Sequence, residues 1–192
     1  MASRLEGLPL VEPGSREEWR SWLEEHHSSS TGVWLAIGKK GGSATCLTYD
    51  EAVEESLAFG WIDSVTRRMD DHRFKQLMTP RKRGSIWANS NKKRIERLTA
   101  EGKMAPAGLA VVEAAQADGS WNALDEAESL VIPDDLAAAL AADPEAERNY
   151  SAFSESTRKI ILYRVWEAKR PETRAKRIAA VVDAARDGRP PW

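Results

Sequence analysis

Trp61-Ile62-Asp63-Ser64-Val65-Thr66, the polar run Met69-Asp70-Asp71, and then His72-Arg73-Phe74-Lys75-Gln76-Leu77-Met78 decide how this chain begins to fold. β-Branched and aromatic residues fill both arms, and a short Asp-rich turn separates them, so the segment predicts an antiparallel hairpin. Strict alternation along the first arm would set Trp61, Asp63 and Val65 on one face and Ile62 and Ser64 on the other. Upstream, Val33–Ile37 lies between Gly32 and Gly38 and predicts a further short strand.

Helical signals surround these strands. Ser15 and Glu18 fit an S-x-x-E capping box, and Trp19, Trp22 and Leu23 follow at helical spacing, with His26 and His27 at the C-terminal end. Thr48 and Glu51 form a second box, opening a helix that buries Ala52, Val53 and Leu57, and Gly60 suits its left-handed terminus. After the hairpin, the basic loop Thr79–Ser85 leads to Trp87 and a helix carrying Ile95 and Leu98, which Gly102 ends. From Met104 the chain is helical and alanine-rich. Leu109, Val112 and Ala115 form one stripe, Pro133 and Asp143-Pro144 open short helices, and Ile160, Ile161, Trp166, Ile178, Val181 and Val182 supply apolar faces to the last two. The class is α+β: a mixed α/β part with a small antiparallel sheet over residues 1–128, then an all-helical segment over 129–192, expected to pack on the first.

The 192 residues carry 28 Lys+Arg and 30 Asp+Glu, a net charge of −2 that argues against a polyanion-coating protein. The charge is segmented. Residues 64–103 hold 12 basic and 4 acidic side chains, while 104–147 hold no basic and 10 acidic ones. Either these blocks face each other across the fold, or the basic one forms an anion-receptive surface. Cys46 is the only cysteine, which rules out an intrachain disulfide and a cysteine-rich metal site. It precedes the cap of the second helix, where a thiolate would meet a helix N-terminus. No apolar run approaches the ~18 residues of a spanning helix, and Met1–Pro13 lacks a leader-like apolar run, so a soluble, cytoplasmic protein without membrane insertion is expected.

The chemistry-bearing residues are few. Adjacent His26 and His27 cannot form an i,i+4 metal pair, and the Lys39-Lys40-Gly41-Gly42 loop lacks phosphate-loop spacing, so neither metal nor cofactor is expected. No G-x-S-x-G elbow exists, and Ser64 or Ser85 would need His72 as a base, which leaves Asp63 as the candidate for acid–base work. Trp61, Asp63, Ser64, Arg81, Ser85, Trp87 and Asn91 are the residue types of a pocket for a small anionic or aromatic ligand, with aromatic walls and a few orienting polar groups. The same residues admit a packing reading, in which both tryptophans are core and Asp63 pairs with Arg81 or Arg67. Nucleic-acid binding through Arg81, Lys82, Arg83, Lys92, Lys93, Arg94 and Arg97 is a third reading, and the sequence pI near 6.0 argues against it.

Two stretches resemble a known family. One is Phe59-Gly60-Trp61-Ile62-Asp63-Ser64 with Thr79-Pro80-Arg81-Lys82, Ser85-Ile86-Trp87 and Asn91; the other runs from Pro133-Asp134-Asp135-Leu136 through Ala168-Lys169-Arg170-Pro171-Glu172-Thr173-Arg174 to Arg177-Ile178. Together they are similar to the YdeI/OmpD-associated (bacteriocin-protection, OmdA-like) proteins over nearly the whole chain. The resemblance implies an α/β part followed by a compact helical segment. It also implies a role in tolerating bacteriocins or antimicrobial peptides, and it transfers no catalytic residues.

Overall fold

A computed structural model describes residues 7–39 and 47–192. Lys40, Gly41, Gly42 and Cys46 lie outside the described residues. Contacts divide the chain into two compact units, residues 1–121 and 122–192.

The first unit is built on a four-stranded sheet of β1 (Leu10–Val11), β2 (Val33–Gly38), β3 (Trp61–Arg68) and β4 (Arg73–Pro80), ordered β1-β2-β4-β3. β3 and β4 form the expected hairpin, and β4 also pairs antiparallel with β2. The sheet is nevertheless mixed, because β1 joins β2 in parallel, with Leu10 opposite Trp34. A two-residue strand has no local signature; only the neighbouring edge defines it.

The expected alternation along β3 also fails after Asp63. Asp63 pairs with Met78 and Thr66 with Gln76, so β3 spends one more residue than β4 between these points. Such a bulge bends the strand and resets which face the next side chains take. Here it brings both Asp63 and Thr66 onto the amide of Gln76.

Helix α1 (Arg16–His26) and helix α2 (Tyr49–Ala58) follow from their caps. Ser15 accepts from Glu18 N–H, but the Glu18 carboxylate turns to Gly14 N–H at 2.7 Å rather than closing the box on Ser15. The Thr48–Glu51 box closes in both directions. α2 is buried on two sides. Ala52 and Ala58 join Trp19 and Leu23 of α1, the β2 residues Val33, Leu35 and Ile37, Trp61 and Met78 in one core. Val53 and Leu57 join Trp87, Ile95 and Leu98, with Val112 and Ala115, in another. Each large apolar side chain buried in this way contributes ~1.5–3 kcal/mol. Glu55, buried on α2, accepts from Arg16 Nε at 2.6 Å and Arg20 Nη1 at 2.8 Å, which compensates its loss of water.

Helix α3 (Asn89–Ala100) and helix α4 (Pro106–Asp118) complete this unit. On α4, Val112 and Ala115 are buried as the stripe predicts, but Leu109 is 38% exposed. Gly60 and Gly108 bring α4 close. Gly60 has φ +76° and lies so near Val111 that a Cβ would sit 2.7 Å from Cγ2; a Cβ on Gly108 would meet the Ala58 carbonyl oxygen at 2.1 Å.

The second unit is helical: α5 (Asp125–Glu128), α6 (Asp134–Ala141), α7 (Pro144–Ala152), α8 (Glu155–Trp166) and α9 (Pro171–Arg186). Leu136, Leu140, Tyr150, Ile161, Leu162, Val165, Ile178 and Val181 form its core. Ile160, expected in the apolar stripe, is 54% exposed, because the face of α8 that is covered runs through Ile161, Leu162 and Val165. Charge segmentation has a structural counterpart here. Residues of the acidic block meet the C-terminal basic block as Glu128–Lys159 (3.0 Å), Asp143–Arg186 (2.6 Å) and the two-point pair Asp135–Arg174. Among the described residues no helix is long and apolar enough to cross a membrane.

Candidate functional site

Arg81 follows directly on β4 and organises the site. Its backbone N–H donates to the Gly60 carbonyl at 3.0 Å, tying the start of the basic loop to the turn before β3. Its Nη2 donates to the Ile86 carbonyl at 2.7 Å, across the base of the 81–86 loop. The guanidinium carbon lies 3.7 Å from the centroid of the Trp87 ring. Trp87 is 1% exposed, and its ring also meets Trp121 at 4.9 Å. Arg81 Nε is buried without a hydrogen-bond partner. Burial pushes the Arg81 pKa down to about 10, opposed by the negative charge of Asp63, so the side chain is still a cation near neutral pH.

A cleft of about 420 Å³ opens beside this residue. Arg81, Lys82, Arg83, Ser85 and Trp87 form one wall; Ala110, Val111, Ala114 and Ala115 of α4 form the other. Asp118 and Ser120 also line it, with Asp118 3.9 Å from Arg83. The volume falls within the roughly 300–1,000 Å³ of small-molecule sites.

Asp63 belongs to a polar cluster next to this wall. Its Oδ2 accepts from the Tyr49 hydroxyl at 2.8 Å and from Gln76 Nε2 at 3.3 Å, while Gln76 Oε1 accepts from Thr66. Neither Arg81 nor Arg67 forms an ion pair with Asp63; Arg67 stacks over Trp34 at 5.1 Å. Partial burial, then the hydrogen bond to Asp63, push the Tyr49 pKa up to about 12, so the phenol stays a donor through neutral pH. Tyr49 and Gln76 were absent from the sequence-derived site. A tyrosine at a helix start and a glutamine in a strand carry no signal by themselves, and only the hairpin register and the cap of α2 bring them to Asp63.

The other expected residues separate. Arg81, Ser85 and Trp87 share the cleft. Trp61, 1% exposed, lies in the sheet-side core, donates Nε1–H to the His27 carbonyl at 3.2 Å and meets Trp22 edge-on. Ser64 is exposed on β3, and Asn91 accepts from Arg94 Nη1 at 3.3 Å. Neither Ser64 nor Ser85 is hydrogen-bonded to His72, whose backbone N–H donates to Asp70. His26 and His27 each direct Nδ1 to the carbonyl four residues earlier on their own helix.

Much of the basic 81–97 segment is answered from within the first unit. Arg94 pairs with Asp50 at 2.7 Å, Arg97 pairs with Glu54, and Lys92 is buried with its ammonium 5.5 Å from the Trp121 ring. Such pairing removes cations from a phosphate-binding face.

Comparison with known proteins gives two family matches. No curated protein and no solved structure matches the chain. Residues 11–111, a little over half of the chain, match a domain of unknown function, DUF8412, and residues 129–188 match the family described as Bacteriocin-protection, YdeI or OmpD-Associated. The second match is narrower than the resemblance read over nearly the whole sequence: the stretch from Phe59 to Asn91 falls within the first family instead. The chain therefore belongs to the DUF8412 family and carries, in its C-terminal unit, a segment matching the bacteriocin-protection, YdeI or OmpD-associated family.

Proposed function

We propose that this chain is a protective protein in bacteriocin or antimicrobial-peptide tolerance that acts by holding a small anionic ligand in the Arg81–Trp87 cleft. The protective role is supported by the description of the family matched at residues 129–188. The ligand is supported by one observation above the others. The Arg81 guanidinium is largely desolvated on the Trp87 ring, with one nitrogen unpartnered and no carboxylate within ion-pair distance among the described residues. A partly desolvated cation balanced only by Asp63 beyond ion-pair distance is unfavourable, and an anion delivered by a ligand relieves it. Arg94 and Arg97 are paired with carboxylates of α2, which favours this reading over nucleic-acid binding.

The test is genetic. A strain lacking the gene is complemented with the wild-type chain or with Arg81→Ala at matched protein levels, and inhibitory concentrations are measured for a panel of bacteriocins and cationic peptides. The deletion strain should be more sensitive, the wild type should restore tolerance, and Arg81→Ala should not. Equal inhibitory concentrations in parent and deletion strains across the panel would overturn the protective role.

A further inference from the structure

We infer that the ligand of this cleft is a carboxylate carried on a compact apolar body, an acyl or aryl acid of modest size. The inference rests on the proposed reading of the cleft as an anion site and names what fills it.

Two walls of opposite character carry the argument. The loop wall offers Arg81, Lys82 and Arg83; among the described residues Asp118 lies 3.9 Å from the largely exposed Arg83, and Asp63 acts on Arg81 from beyond ion-pair distance. Lys82 is exposed and has no ion-pair partner among the described residues. The cleft therefore has a net positive rim that neutral or cationic ligands do not match. The facing wall comes from successive turns of α4, where the side chains of Ala110, Val111, Ala114 and Ala115 present only methyl and methine groups. Small side chains make that wall flat, and none offers a polar atom to a ligand.

Stacking on Trp87 is closed to a ligand. The ring is covered by Arg81 at 3.7 Å and adjoined by Trp121. Recognition then comes from the guanidinium edge at one end and the alanine wall along one side, with Ser85, Asp118 and Ser120 as the other polar groups of the lining. A ligand that satisfies both has its charge at one end and no polar group along its body. A small sugar phosphate or nucleotide, polar along its length, would leave hydroxyls against methyl groups without partners. The Gly60–Val111 and Gly108–Ala58 approaches hold α4 at this distance, so the width of the cleft is set by backbone contact.

The experiment is calorimetric titration of the full-length protein with hexanoate, octanoate and decanoate below their micelle concentrations, and with 1-naphthoate, octan-1-ol and acetate. The acyl and aryl arms distinguish the two sources of the same chemistry. Binding should be one-to-one for at least one arm and about tenfold or more weaker for octan-1-ol than for octanoate, because the charge-assisted hydrogen bonds are lost. Within the acyl arm each added methylene should strengthen binding about fourfold until the cleft is full. Ala114→Leu, on an exposed helical position where leucine is well tolerated, should weaken binding at least tenfold with an unchanged melting temperature. Ala110→Leu is the second variant should the first disturb folding. No carboxylate binding below the millimolar range, equal affinity for the alcohol, or indifference to both leucine variants would overturn the ligand class. The two proposals fail separately. If no acid binds but Arg81→Ala still abolishes protection, the ligand class is wrong and the protective reading stands; if the acids bind as expected but Arg81→Ala protects fully, the reverse holds.

Discussion

The loop at Arg81–Arg83 and the α3 face at Arg94 and Arg97 are equally basic in sequence, yet the fold treats them in opposite ways. On α3, Arg94 and Arg97 reach Asp50 and Glu54 of the neighbouring α2 and become part of the scaffold. In the loop, Arg81 lies on an aromatic ring, and among the described residues Lys82 has no carboxylate partner and Arg83 has only a distant one. The difference teaches that charge count alone does not mark a site. What sets the proposed site apart is positive charge without a close carboxylate partner among the described residues, Arg83 apart, next to open apolar surface.

Four substitutions test that contrast. Trp87→Ala should have the largest effect, because it empties the centre of the α2–α3–α4 core and removes the support under Arg81. Large aromatic deletions in cores cost ~3–5 kcal/mol, and urea unfolding should show a loss of that size; a loss below ~1 kcal/mol would mean the ring is not the core element it is taken to be.

A smaller effect is expected from Arg81→Lys, set beside Arg94→Ala. Losing the flat guanidinium from a desolvated ring should destabilise by ~1–2 kcal/mol with little dependence on salt. The Arg94–Asp50 pair has one exposed partner, so Arg94→Ala should cost only ~0.2–1 kcal/mol and less in high salt. Thermal melts at low and high ionic strength would measure both. Equal and equally salt-sensitive losses would erase the distinction between the two regions.

The least effect belongs to Tyr49→Phe, and only its pH dependence shows in alkali. The Tyr49 pKa is pushed up to about 12 in the folded protein, whereas an unfolded tyrosine ionises near 10. Its contribution is therefore fully present below pH 10 and is lost as pH rises from about 10 towards 12. Stability profiles of wild type and Tyr49→Phe should run parallel below pH 10 and converge above it. Profiles that stay parallel to pH 12 would show that burial and the Asp63 hydrogen bond do not hold the phenol protonated.

Local features were legible without the structure. The hairpin, the Thr48–Glu51 cap, the left-handed Gly60 and the Pro-initiated helices depend on neighbours a few residues away, and each formed where its signal stood. The structure separates two tryptophans that the sequence pattern joins. Trp61 and Trp87 belong to one recognisable stretch and are equally buried, yet only Trp87 borders the cleft. Leu109 and Ile160 fit apolar stripes but are exposed, because spacing defines a face and only the packed neighbours decide whether all of it is covered.

What the sequence alone determined, then, is most of the helices and strands and the residue types of the candidate site. Caps, turns and periodicity are local, and an arginine between a proline and a basic loop can be recognised as chemistry wherever it lands. Only the tertiary structure decided what surrounds that arginine. The alanines of α4 carry no chemical signature and lie some thirty residues downstream; the partners of Asp63 come from a helix cap and a facing strand; and the bulge at Ser64–Val65 changes which side chains share its face. These are long-range contacts set by close approach and register, and no residue announces them by its own type.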